Sequence, residues 1–402
     1  MFKLKDKKLG GGGMSGGGNG GPGGGGTSGG GGTTGGGGMD NACFIYDLEQ
    51  PTNTDGTPVT IIDPATADVV FNRQVYMNGS ITMDDQKNIA IWGFSDSAAG
   101  GGGMSTPFPS PLIEVTAGQI AHTVLDVAMG GGGMGGMWKH TIHHHGIEPE
   151  YRSDGVGHTS WDVAGSFTYQ WRPAHPGTYF YHCHVNTVLH AEMGMYGALI
   201  VRPKINTDTV NNPQALTYAN EDPASRYDVE AVWAVDEIDS SWHAIAPMDW
   251  AAGTCGGDVG FNTLNPDYFI ITGVDASTGV DSSAYKNNDP QTQSVVAATV
   301  EQGQTLLIRY INAGYLPQML TLPAGLAGRV IASDGRPLPN AKPIGNGVTL
   351  NTVSAERYEI LIDIPADQAL GDYKVEFEIQ DWISGDMLGT ATTRITVVAP
   401  AA

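Results

Sequence analysis

The stretch "YFYHCHVNTVLHAEMGMYG", residues 179–197, sets a cysteine between two histidines and then adds a third histidine and two methionines. On a β-strand alternate side chains share a face, so His182 and His184 point one way and Cys183 the other. Cys183 then joins a different site from its neighbours, with His190 and Met195 arriving from the following loop. Residues with this affinity for metal rarely crowd together without one. One strand end serves two sites.

Outward from this stretch, short β-type runs continue in both directions from about residue 40. Examples are "PVTIID", "SFTYQW", "GALIV", "TLLIRYIN" and "RYEILIDI", broken by Gly, Pro, Asn and Asp, with no long helical periodicity. Such spacing predicts an all-β chain built from β-sandwiches. A faint internal repeat, "PLIEVTAGQIAHTVLDV" (111–127) against "SVVAATVEQGQTLLIRYIN" (294–312), gives strand, Gly turn, strand in each copy. Two sandwich domains of related design are expected, 40–203 and 204–402, with the boundary near the Pro- and Asn-rich stretch 203–225. Residues 1–39 are dominated by glycine and cannot bury apolar area to offset ordering, so a flexible tail is expected. Gly runs at 100–103 and 130–133 are each followed by a methionine, Met104 and Met134. They are low-complexity insertions or, alternatively, exposed thioethers for soft Cu(I).

A length of 402 residues is too great for one small core. The formal charge of −22 argues against nucleic acid or an anionic membrane as partner. No uncharged apolar run is long enough to span a bilayer. "MFKLKDKKLG" has the basic character of a signal-peptide head, but no apolar segment follows it. Cys43 and Cys255 form a disulfide between the domains or are two unrelated buried thiols.

The second cluster is "HTIHHHG", residues 140–146. The same alternation turns His143 and His145 to one face and His144 to the other. His140, Cys183, His190 and Met195 together supply one thiolate, two imidazoles and a thioether, the blue-copper set. Zinc is the competing metal, and a Met ligand argues against it.

These motifs resemble the multicopper oxidase family, particularly its two-domain members, and the related copper nitrite reductases. "HTIHHHG" is similar to the family's H-x-x-H-x-H-G, and "PGTYFYHCHV" to its strand carrying H-C-H. The resemblance is strong over about residues 107–203 and implies cupredoxin-like Greek-key domains. It implies type 1 copper on His140, Cys183, His190 and Met195, and half of a type 2/type 3 copper site on His143, His145, His182 and His184. Asp154, in "YRSDGVGHTSWD", matches an acid that helps deliver protons there, although an Asp-Gly turn is the plainer account. Cys183 to His190 spans seven positions, longer than in the oxidases and shorter than in the nitrite reductases. Met193 competes with Met195 as the axial ligand.

A full trinuclear cluster in this family draws histidines from two facing domains. The second domain here has "QMLTLP" (318–323) and "EFEIQDW" (376–382) at the corresponding places, and His243 is the only histidine after residue 190. The resemblance therefore implies an oxidase whose cluster is completed between subunits of a homo-oligomer. An electron donor (a phenol, a metal ion or a redox protein) feeds it, and oxygen is reduced. The alternatives are a blue-copper electron carrier or copper-binding protein, and a nitrite-reductase-like enzyme with His243 as a possible third ligand. A periplasmic, cell-surface or extracellular location is expected from the chemistry.

Overall fold

The computed structural model describes residues 50–96, 107–127, 139–157, 159–206, 217–244, 263–277 and 296–401. The glycine-rich tail, Cys43, Cys255, His158, Met104 and Met134 lie outside the described residues.

The first sandwich comprises β1 (Val69–Thr82), β2 (Asn88–Asp96), β3 (Ser110–Thr116), β4 (Ala121–Asp126), β5 (His143–His145), β6 (Ser166–Trp171), β7 (Gly177–His182) and β8 (Tyr196–Arg202). Its sheets run β2-β1-β4-β6 and β3-β8-β7-β5. A short helix, α1 (Thr187–Glu192), bridges β7 and β8. Between the sheets lies a core of Val75, Trp92, Ile113, Leu125, Phe167, Tyr181 and Leu199.

A small ribbon of β9 (Thr217–Tyr218) and β10 (Arg226–Tyr227) leads to β11 (Val229–Ile238), β12 (Tyr268–Ile271), β13 (Val274–Asp275), β14 (Ala298–Glu301) and β15 (Thr305–Asn312). Then follow β16 (Gln318–Thr321), β17 (Ala327–Ser333), β18 (Arg336–Gly345), β19 (Leu350–Thr352), β20 (Arg357–Asp363), β21 (Gly371–Gln380) and β22 (Met387–Val398). These make a sheet β13-β12-β11-β15-β20-β17-β18 against a sheet β14-β22-β21-β16-β19. Trp233, Ile308, Leu320, Phe377 and Ile395 fill the space between them.

The two copies of the internal repeat become β3–β4 and β14–β15. Their turns are chemically the same. Gly118 and Gly303 both take positive φ, at 86° and 83°. In each turn a glutamine side chain caps the preceding strand: Thr116 N donates to Gln119 Oε1 at 2.8 Å, and Glu301 N to Gln304 Oε1 at 2.9 Å. β4 pairs in parallel with β1, and β15 in parallel with β11.

β7 is buried at every position. Alternation explains why. Tyr179, Tyr181 and Cys183 face the first core, whereas Phe180 belongs to a third cluster with Ile200, Val232, Ile270 and Ile311 that joins the two sandwiches. Each large apolar side chain sealed there contributes roughly 1.5–3 kcal/mol. Ions also cross this joint: Arg202 of β8 pairs with Glu230 of β11 at 2.6 Å. Arg309 of β15 pairs with Glu359 of β20, and Thr178 of β7 donates to the same Glu359 carboxylate at 3.0 Å.

Candidate metal centre

Two groups of metal-capable side chains form among the described residues, and both lie in the first sandwich: His140, Cys183 and His190, and His143, His145 and His182. Within each group the ligand atoms lie within 4.8 Å of one another.

In the first group Cys183 Sγ stands 3.2 Å from His190 Nδ1 and 3.7 Å from His140 Nδ1. Both imidazoles thus present the same ring nitrogen to the sulfur. His140 is held by an isolated bridge to Val163, and His190 by α1. The loop then closes on the strand end: Met195 N donates to His190 O, and Cys183 N donates to Met195 O, each at 3.0 Å. Met193 and Met195 are both fully buried, and the backbone contact to Cys183 belongs to Met195. The edge of the Trp92 ring meets the His190 ring at a centroid distance of 5.8 Å.

Burial pushes the Cys183 thiol up to about 12 and the His190 imidazole down to about 3. A thiol buried this deeply ionises only against a bound cation, and neutral imidazoles keep a lone pair to offer one. This donor set fits copper, with soft sulfur and two borderline nitrogens.

The second group is built by strand pairing. β5 and β7 run antiparallel with His143 opposite His182 and His145 opposite Phe180. His143 Nδ1 donates to the backbone carbonyl of Asp154 at 2.8 Å, and His182 Nδ1 to that of Cys183 at 2.8 Å. These bonds fix the tautomers and leave each Nε2 as the ligand atom. His182 Nε2 lies 3.3 Å from His145 Nδ1. Burial, followed by the Arg357 charge, lowers His145 to about 2; burial, followed by His143, lowers His182 to about 3. Three neutral nitrogens converge, which suits a single copper ion.

His184 lies beside this group and outside it, its ring 5.6 Å from that of His143 and 5.8 Å from that of His182. The Asp154 carboxylate reaches His143 Nδ1 at 3.4 Å, so its main hold on the imidazole is through the main chain. His144 points the other way. Its ring lies tilted against Trp171 at a centroid distance of 4.6 Å and shares a hydrogen bond with Thr123 at 2.9 Å, a core role.

His143, His145, His182 and His184 open onto a cavity of about 250 Å³ whose other wall includes Tyr196, Ala313, Tyr315, Ser354 and Ala355. The last four belong to the second sandwich. Arg357, nearly buried, lies over the Phe180 ring at 5.8 Å. No sequence motif announced Tyr315 or Arg357, because each reaches the histidines only through the joint between sandwiches. His243 is not part of the cavity: it is buried, with Nδ1 donating to Ala90 O at 2.6 Å and Nε2 lying 3.6 Å from Glu192. At that depth it cannot serve a neighbouring chain. Gln318 accepts from Tyr310 at 2.7 Å inside the second core.

The multicopper oxidase family signature matches residues 103–206, which span both metal groups. That segment, about a quarter of the chain, is similar to a multicopper oxidase domain. A laccase of Aspergillus fumigatus is 31% identical over 115 residues, a stretch covering 27% of this chain and 17% of the laccase. In fold the chain is similar to a blue copper oxidase from Nitrosomonas europaea, at a TM-score of 0.54 and 21% identity over 82% of this chain and 86% of that one. It is also similar to the copper nitrite reductase of Nitrosomonas europaea, at a TM-score of 0.53 and 18% identity over 83% and 95% of the two chains. Its sandwiches are cupredoxin-like. No helix among the described residues is long and apolar enough to cross a membrane.

Proposed function

We propose that the protein is a copper-dependent oxidoreductase that accepts electrons at a type 1 centre and reduces oxygen at the histidine cavity. One observation carries this reading: His182, Cys183 and His184 are consecutive, and β7 delivers Cys183 to one ligand group and His182 to the other. Copper supplies one-electron exchange at the first group and acceptor binding at the second.

The protein's own residues do the rest. His140, Cys183, His190 and Met195 would hold the type 1 ion in a dry core, where little reorganises on electron exchange. The donor is a phenol, a metal ion or a small redox protein. His143, His145 and His182 would hold the second ion, with His184 alongside, and Cys183 is joined to both flanking histidines by the main chain. Asp154 orients His143 and stands where it can relay a proton. For a full trinuclear cluster the remaining ligands would come from a second copy of the chain. The location is periplasmic, cell-surface or extracellular.

A second reading is favoured by the cavity wall. The chain's own Ala313, Tyr315, Ser354 and Ala355 already face the histidines, and none of them is a metal ligand of the imidazole kind. A mononuclear site reducing a small acceptor such as nitrite follows from that arrangement.

Copper content per chain separates the readings. One ion marks an electron carrier, two a mononuclear catalytic site, and a value between two and three a cluster shared by two chains. Oxygen uptake with a phenol, Fe(II) or Cu(I) as donor tests the oxidase directly. If His143→Ala consumed oxygen at the wild-type rate, the assignment of reduction to this cavity would be wrong.

A further inference from the structure

Behind the histidine cavity lies a buried carboxylate that the readings above do not use. Alternation along β11 turns Trp233 and Val235 into the second core and Val232, Ala234, Asp236 and Ile238 toward the joint. Asp236 is only 5% exposed. Its Oδ2 accepts from Tyr196 Oη at 2.6 Å, and its Oδ1 accepts from the Glu237 backbone at 2.9 Å. Tyr196 in turn lines the cavity beside His143, His145, His182 and His184. One hydrogen bond separates the acid from the cavity wall.

The charges around Asp236 disfavour its ionised form. Glu192 at the end of α1 and Glu237 on β11 are both buried carboxylates, and they stand against the hydrogen bonds from Tyr196 and the Glu237 backbone, which favour ionisation. The imidazole of His243 is also nearby, and it lies against Glu192 at 3.6 Å. Burial, and after it the Glu192 charge, raises the Asp236 pKa above the usual carboxylate range.

We propose that Asp236 stores a proton for the histidine cavity and hands it over through the Tyr196 hydroxyl, a role that rests on the cavity being the site of acceptor reduction. With Asp236 ionised, the phenol donates to it. With Asp236 protonated, the same 2.6 Å contact runs in the opposite sense and the phenol hydrogen is released toward the cavity. The proton on Asp236 passes to the phenol oxygen as the phenol's own proton leaves into the cavity. Tyr196 ends neutral, and Asp236 is left ionised until it is reloaded from water. Oxygen and nitrite both take up protons along with the electrons they receive, so each turnover draws on this store. Asp236 acts through Tyr196 and positions that proton.

Infrared spectra of the metal-free protein at neutral pH are the first test. One component of the protonated carboxylic acid carbonyl stretch should be lost in Asp236→Asn and survive in Glu237→Gln, which removes the separate component of the neighbouring Glu237 carboxyl. In the copper-loaded protein, Asp236→Asn and Tyr196→Phe should each slow acceptor reduction roughly 10²-fold, the range of a lost proton donor. The pH profile should change and the solvent isotope effect rise, with anaerobic bleaching of the Cys183 centre unaltered and partial rescue by Asp236→Glu. The proposal is overturned if no band depends on Asp236, or if Tyr196→Phe keeps the wild-type rate and pH profile. A protein that carries the band but reduces no acceptor removes the functional reading and leaves the proton on Asp236 in place.

Discussion

Neighbouring residues in one short stretch take opposite fates because of strand alternation. Cys183 turns into the core with His140 and His190, whereas His182 turns outward to His143 and His145. Cys183→Ser should abolish the strong visible absorption expected of a copper–thiolate bond and leave copper bound at His143, His145 and His182. Absorption and electron paramagnetic resonance spectra of the same sample check both halves. His144 is the contrasting case, a histidine in the middle of the motif that ligates nothing. It is fully buried between Trp171 and Thr123. His144→Ala should cost about 2–4 kcal/mol in denaturant unfolding, as truncation of a buried, hydrogen-bonded ring does, with the copper count unchanged.

At the scale of elements, the turn from α1 into β8 decides where Met195 arrives. Gly194 has φ of 105°, and a Cβ there would lie 2.7 Å from the Phe108 ring. No other residue type fits both the backbone and the space. Gly194→Ala should destabilise the fold by about 1–3 kcal/mol and shift the spectrum of the Cys183 centre. Copper proposed at the β5 and β7 histidines should keep its signal. The same two strands show what was legible in advance: the pairing of His143 with His182 follows from two alternating strands laid side by side. The helical form of the Cys183–His190 connection was not legible, since six residues of α1 carry no distinct periodicity.

The whole molecule depends on the joint. Glu230 lies between Arg202 and Arg309, which tie β8 of one sandwich to β11 and β15 of the other. Burial works against its ionisation, but the Arg309 and Arg202 charges outweigh it and lower the carboxyl from 4.5 to about 2. The folded protein therefore binds fewer protons here than the unfolded chain. The resulting stabilisation, roughly 3 kcal/mol, is complete above the unfolded value near 4.5. It is lost as the pH falls toward 2. Thermal melts across that window should show the loss, and Glu230→Gln should flatten it while lowering stability at neutral pH.

The sequence by itself determined the all-β class, the repeated strand–turn–strand unit and which histidines share a face with which. Those properties depend on period-two alternation and on glutamine-capped glycine turns, which act over a few residues. Only the tertiary structure decided what faces the four histidines. Tyr315, Ser354 and Ala355 lie far along the chain from β7, and they reach the cavity because apolar side chains of β7, β8, β11 and β15 seal two sandwiches together. The same seal buries His243 and places Asp236 behind Tyr196. Contacts of that range follow from how two surfaces fit, and no local pattern in the chain encodes them.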